Sequence, residues 1–263
     1  MNKLINNNIK LRTISALCIV TIVVLAIIIG LPYFHYLISI ISGFIFFEWV
    51  LISFQKYSHL VTFIFIVLQY FSFYSATITF YILIIVCLGI VFIWRFFSKN
   101  PKKDKKFIGY LGEIYIFFAI NCLGKLFCET NFVFILWLFC TIWLTDTMAF
   151  FCGKIFGQIK LAPKISPGKT LEGLVLGTFF SVLIISFAYY FITQSGKYYN
   201  IVVLTVVVSI SAHIGDLIES AVKRYFNVKD SGSLIPGHGG FADRFDSLLF
   251  VSIVMMIIVR TCL

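Results

Sequence analysis

Apolar residues run through this chain in long blocks broken by short polar stretches. A helix needs roughly 20 residues to cross the hydrocarbon of a bilayer. On that measure the predicted spans are about 13–30, 32–54, 59–75, 77–97, 107–124, 131–152, 171–193, 199–222 and 245–262, about nine in all. Pro32 separates the first two, and the polar run Gln55, Lys56, Tyr57, Ser58 ends the second. The break near Ser75 is shallow, which leaves the border between the third and fourth open. The predicted fold class is all-α, a polytopic transmembrane helix bundle. A basic stretch from Lys99 to Lys106 divides it into N-terminal helices over 1–106 and a C-terminal region over 107–263 with cytoplasmic loops at 153–170 and 223–244.

Composition supports this pattern. With 60% hydrophobic residues, 31 Phe and a mean hydropathy of +1.02, the chain carries more apolar surface than a soluble domain of 263 residues can hide. Charge then orients it. If Lys3, Lys10 and Arg12 lie in the cytoplasm, only Lys125, Lys197 and Arg260 fall on the outer side and every other Lys and Arg lies inside. The expected topology is N-terminus cytoplasmic and C-terminus outside, which an odd number of helices satisfies. The formal charge of +10 is then explained by cytoplasmic loops and anionic head groups, with no call for nucleic acid. The basic, apolar beginning resembles a signal peptide but lacks a small-x-small cleavage site, and is read as a first membrane helix that stays attached. Seven cysteines without a C-x-x-C spacing read as small apolar residues, giving neither a disulfide framework nor a zinc site.

Polar residues within the apolar blocks mark candidate chemistry, because charge beside lipid is costly. Early in the chain these are few: Glu48, with His35 as a neutral possibility, and Glu113 further on. A helix-packing hydrogen bond accounts for the two glutamates better than an ion path does. Asp146 lies near a helix end, followed by a loop rich in Lys, Pro and Gly that reaches Ser166, Pro167, Gly168, Lys169 and Thr170. Gly168-Lys169-Thr170 is not a Walker A loop, since Pro163 stands where its first glycine belongs and no preceding strand is expected. The loop could still present backbone N–H groups at a helix start, capped by Thr170 or Ser166, with Lys169 as a mobile cation for phosphate.

Downstream, Ser209, His213, Asp216, Ser220 and Lys223 fall on one helical face, with Glu219 beside them. A polar stripe that thickens toward a basic loop fits a water-filled cleft. Arg224, Lys229 and Asp230 follow, then the glycine-rich Pro236-Gly237-His238-Gly239-Gly240, then Asp243, Arg244, Asp246 and Ser247 at the start of the last helix. His238 between glycines is placed to contact a ligand. Asp216 and Asp243 could converge across the glycine loop as an oxygen-only site for a hard cation. Mg2+ is commonly held by one or two carboxylates with water and substrate phosphates. Lys169, Lys223, Arg224, Lys229 and Arg244 would oppose phosphate charge. No nucleophile elbow accompanies the serines. The pattern points to phosphate chemistry at the cytoplasmic face.

The run of Ser220, Val222, Lys223, Arg224, Lys229, Asp230, Gly232, Ile235, Pro236, His238, Gly239, Gly240, Phe241, Asp243, Arg244, Phe245 and Asp246 resembles the signature of the phosphatidate cytidylyltransferases, the CDP-diacylglycerol synthases. Asp146-Thr147, the run from Lys160 to Pro167, Lys169-Thr170-Leu171-Glu172-Gly173 and Gly215-Asp216-Leu217 are similar to the same family. The resemblance is specific over about 143–247. Members often carry Lys where this chain has Gly168, one cation fewer here. The resemblance implies transfer of the cytidylyl group of CTP to phosphatidate, giving CDP-diacylglycerol and pyrophosphate. It also implies a multi-pass protein of a bacterial inner membrane, a homodimer, use of Mg2+, and a monovalent cation such as K+. In that setting Asp216 and Asp243 would hold the metal, with Asp216, Asp243, Lys223 and Arg244 as the catalytic set. Asp146, Ser166, Lys169, Ser220, Arg224, Lys229, Asp230, His238, Gly239, Gly240 and Asp246 would contact substrate, orient cations or complete the ion site.

Two other readings compete. A CTP-dependent polyprenol kinase would share nucleotide and metal but not the signature. A secondary transporter for an anionic metabolite predicts paired repeats and helices broken at mid-membrane, and neither is visible here.

Overall fold

The structure, a computed structural model, describes residues 2–54, 59–73, 101–193, 198–235 and 239–262. Its helices are α1 (Asn2–Ile29), α2 (Tyr33–Phe54), α3 (His59–Ser72), α4 (Pro101–Glu129), α5 (Phe132–Phe156), α6 (Leu171–Thr193), α7 (Tyr198–Tyr225) and α8 (Ala242–Cys262). Two short strands, β1 (Lys160–Ala162) and β2 (Ser166–Thr170), pair antiparallel between α5 and α6. In hydrocarbon a helix satisfies its own backbone polar groups, which is why these apolar runs have this form.

Among the described residues, six helical spans are long and apolar enough to cross a membrane: Tyr33–Ser53, Phe107–Glu129, Phe132–Phe156, Leu171–Ile192, Ile201–Tyr225 and Ala242–Cys262. Thr13–Ile29 and Thr62–Ser72 are shorter apolar helices, and the expected span 77–97 lies outside the described residues. Two expectations differ from what is found. The basic stretch expected as a loop is helical from Pro101 onward, since proline at a first helical position forfeits no intrahelical N–H bond. The loop before α6, expected without a strand, forms the β1–β2 hairpin, whose turn is closed by Ile165 N–H donating to Ala162 O at 3.1 Å.

The chain divides into two compact units. The first comprises 1–129 and 226–245. Here α2 packs against α1, α3 and α4. Phe34 stacks on Phe127 at 4.4 Å, Phe46 on Phe65 at 4.1 Å, and Trp49 Nε1 donates to Gly109 O at 2.7 Å. Segment 226–245 lies on the same helix, with Phe241 stacked on Phe44 at 4.8 Å and Phe226 edge-on to Trp49 at 5.9 Å. Such aromatic pairs contribute about 0.5–1.5 kcal/mol each beyond their burial.

The second unit comprises 130–225 and 246–263. Asn131 caps α5 by accepting from Phe134 N at 2.8 Å. Helices α5 and α6 approach closely, because a Cβ on Gly177 would come within 2.7 Å of Ala149 Cα. Small residues allow such backbone approach between membrane helices. Thr145 and Ser209 pair at 2.9 Å, joining α5 to α7. Phe179, Leu183, Phe187 and Phe191 are exposed on α6 at four-residue spacing, a face suited to lipid. On α7 the apolar Ile210, Ile214 and Ile218 are exposed while Ser209 and His213 are buried. Lipid reverses the usual sense of amphipathicity, leaving the polar stripe inside.

Candidate active site

Thr170, at the end of β2, caps α6 by accepting from Gly173 N at 3.1 Å, which settles the choice between Thr170 and Ser166. Glu172, in the first turn, accepts from Gln158 N at 3.1 Å and from Ile159 N, with Oε1 at 3.1 Å. Leu171 N donates to Ile159 O at 2.9 Å. These bonds fasten the start of the hairpin to the start of α6. Ser166 is half-buried in β2, and a Cβ at Gly168 would meet open space.

Strand β2 thereby presents Lys169, whose Nζ pairs with Asp216 Oδ2 of α7 at 2.5 Å; the two side chains are 23% and 29% exposed. Ser220, one turn further on, donates to Asp216 Oδ1 at 3.2 Å. Glu219 and Lys223 form a largely buried ion pair at 3.2 Å. Arg224 donates through Nε to Ile165 O at 3.1 Å, tying the end of α7 to the hairpin turn. The carboxyl of Asp246, in α8, interacts electrostatically with Glu219, Asp216 and Asp146. His213 is buried, its Nε2 without a hydrogen-bond partner, and it feels the charges of Lys169 and Asp216. The structure therefore brings Asp146, Lys169, Asp216, Ser220, Lys223, Arg224 and Asp246 into one unit.

The first unit holds the others. Asp243 Oδ2 accepts from Ser231 N at 2.9 Å and Gly240 N at 3.0 Å, so this carboxylate organises the glycine-rich segment at the N-terminus of α8. Such a position favours negative charge through the helix dipole. Gly239 sits at φ +87°, a conformation natural to glycine, and its carbonyl accepts from Ile235 N at 2.9 Å. Lys229, Asp230 and Arg244 are exposed. His238 lies outside the described residues. Asp216 and Asp243 belong to different units.

Glu172 and Glu48, named in the sequence without a place in the candidate site, have structural tasks beside it. Glu48, in α2, is buried and its Oε2 accepts from Ser231 Oγ at 2.9 Å and Ala242 N at 3.0 Å. A lone carboxylate in an apolar helix was the available signal, though its partner lies nearly two hundred positions away.

The donor set suits a hard cation, since it is made of carboxylate oxygens with neither thiolate nor paired imidazoles. Among the described residues no group of three or more His, Cys, Asp or Glu side chains converges as a complete metal cage. One or two carboxylates with substrate phosphates is the pattern usual for Mg2+, so the residues present fit it.

The model of the cytidylyltransferase family matches residues 10–262. The chain is 46% identical over 118 residues to the phosphatidate cytidylyltransferase of Staphylococcus aureus (strain COL), 45% identical to that of Staphylococcus epidermidis (strain ATCC 35984) and 44% identical to that of Staphylococcus haemolyticus (strain JCSC1435). Each match covers 45% of this chain and 45% of the relative, so the chain spans a little under half the length of the curated relatives it matches. With a family match running nearly end to end, and charged groups gathered at helix ends in an otherwise apolar chain, this protein belongs to the cytidylyltransferase family.

Proposed function

We propose that this chain transfers the cytidylyl group of CTP to phosphatidate, forming CDP-diacylglycerol and pyrophosphate for phospholipid synthesis. The observation that carries this reading is the Lys169–Asp216 pair, set among Ser220, Lys223, Arg224 and Asp246 in a chain that is only 12% charged. Relatives named phosphatidate cytidylyltransferase support the substrate class.

The nucleophile is a phosphate oxygen of the lipid, largely ionised at neutral pH, so no strong general base is needed. The difficulty is to bring one polyanion against another. Lys169, Lys223, Arg224 and Arg244 offset that repulsion and stabilise charge developing on leaving pyrophosphate. Asp216 and Asp243 are the proposed holders of Mg2+, with Asp246 and Asp146 completing the ion site; a divalent cation there would supply further charge neutralisation to the phosphates. A monovalent cation such as K+ is proposed nearby. Asp230, Lys229, Ser166, His238, Gly239 and Gly240 contact substrate or orient these cations.

The acyl chains stay in the bilayer, and CTP arrives from the cytoplasm. The proposed topology has nine spans, an N-terminus inside, a C-terminus outside, and a homodimer in a bacterial inner membrane. The excess of Lys and Arg on one side of the predicted spans supports this orientation.

Labelled CTP tests the reaction on purified protein with phosphatidate, with and without Mg2+. Label at the α-phosphate should enter lipid, and label at the γ-phosphate should not. Entry of γ-label instead would assign a kinase, and entry of neither would refute the proposal.

A further inference from the structure

We infer that Glu48 is a positioning residue that fixes Ser231 and the start of α8 at Ala242 beside Asp243 by gripping both on a single oxygen. The inference rests on the reading that Asp243 and its neighbours serve the transfer reaction. Glu48 lies in the interior of α2, 1% exposed, in a span with no other acidic residue. A carboxylate retained there at a cost needs a reason. Its Oε2 accepts from Ser231 Oγ at 2.9 Å and from Ala242 N at 3.0 Å, where α8 begins.

Ser231 is the relay. Its Oγ donates to Glu48 and accepts from Asp243 N at 3.3 Å, while its own N–H donates to Asp243 Oδ2 at 2.9 Å. Gly240 N donates to that same Asp243 oxygen at 3.0 Å. Glu48 and Asp243 thus clamp one stretch of backbone from two sides, and the orientation of Asp243 depends on Glu48 through one serine. Shape agrees with bonding. A Cβ on Gly232 would stand 2.6 Å from Glu48 Oε1, and one on Gly240 would collide with Ser231 Oγ and Glu48 Oε2. The two glycines are the surfaces against which the carboxylate is seated. Phe44, one turn before Glu48, stacks on Phe241 at 4.8 Å, so the same face of α2 holds the segment twice. A packing hydrogen bond between two membrane helices would not need both glycines, nor join Ser231 to the start of α8.

The test uses the full chain in vesicles of phosphatidylcholine with phosphatidate, CTP and Mg2+. Glu48→Ala is expected to lower kcat by about 100-fold, the scale of loss when a reacting group is misplaced by ~1 Å, with KM for CTP little changed. Glu48→Gln keeps a carbonyl oxygen for both donors and is expected to stay within a small factor of wild type. Ser231→Ala should lower kcat in the same way, and the double variant Glu48→Ala/Ser231→Ala should be no worse than the poorer single. Tryptic cleavage at the exposed Lys229 should accelerate in Glu48→Ala and not in Glu48→Gln. That arm does not depend on the reaction, so a wild-type chain inactive toward phosphatidate would refute the proposed activity while the protease result still decides the role of Glu48. Wild-type kcat in Glu48→Ala, equal damage from Gln and Ala, or fully additive losses with Ser231→Ala would each overturn the inference. If Glu48→Ala does not fold, Ser231→Ala against Glu48→Gln carries the same comparison.

Discussion

Lys169 and Asp216 were assigned separate tasks by sequence, one to phosphate and one to metal, yet their side chains meet at 2.5 Å. Each therefore sets the charge the other offers to a substrate. Lys169→Ala should weaken CTP use by about 1.5–3 kcal/mol in kcat/KM, the worth of a hydrogen bond to a charged group. Unchanged CTP kinetics would remove Lys169 from the site. Asp216→Ala or Asp243→Ala should abolish turnover with folding intact, and a variant keeping half its activity would end the assignment of that residue to metal. Asp216, Lys223 and Asp246 stand out in the sequence because ionised groups in an apolar chain are rare. The tasks of Glu48 and Glu172 were not legible there, because Glu172 binds backbone N–H groups, which carry no residue code, and Glu48 binds one such group and a serine hydroxyl far away along the chain.

Among the elements, the β1–β2 hairpin is the one that sequence periodicity passed over. Its strands are three and five residues long, with Pro163 in the turn between them and Pro167 inside the second, too short for alternation to register. What holds it is the carboxylate of Glu172 on Gln158 N and Ile159 N, together with Arg224 on Ile165 O. Glu172→Ala should release the hairpin while leaving α6 helical, which faster tryptic cleavage at Lys160 and Lys164 would show. Cleavage at the wild-type rate would mean that Arg224 and the strand pairing suffice. Activity should fall along with it, because Lys169 rides on β2. The helices themselves were legible from apolar run length, to within a few residues at most ends. The start of α4 at Pro101 was not, because a run of lysines looks the same in a helix and in a loop.

Across the whole molecule, the burial of polar stripes and the exposure of Phe and Ile faces are the arrangement that lipid demands. Among the described residues, the six spans long and apolar enough to cross a membrane coincide with apolar runs of the sequence. The excess of Lys and Arg on one side of the predicted spans sets the proposed orientation. With the native cysteines replaced, Lys164→Cys should react with a membrane-impermeant thiol reagent only after the cytoplasmic side is opened, and Arg260→Cys should react on intact cells. The reverse pattern would invert the proposed topology.

By itself the sequence determined the class of protein, the places where helices form and the stretch in which charge is concentrated. Run length, hydropathy and the cost of charge in hydrocarbon are local quantities, readable one window at a time. Only the tertiary structure decided which groups meet: Glu48 with Ser231, 183 positions apart, and Lys169 with Asp216 across two elements. Such pairs arise when packed helices and turns bring remote atoms within 3 Å or so, the reach of a hydrogen bond, and no periodicity along a chain encodes that.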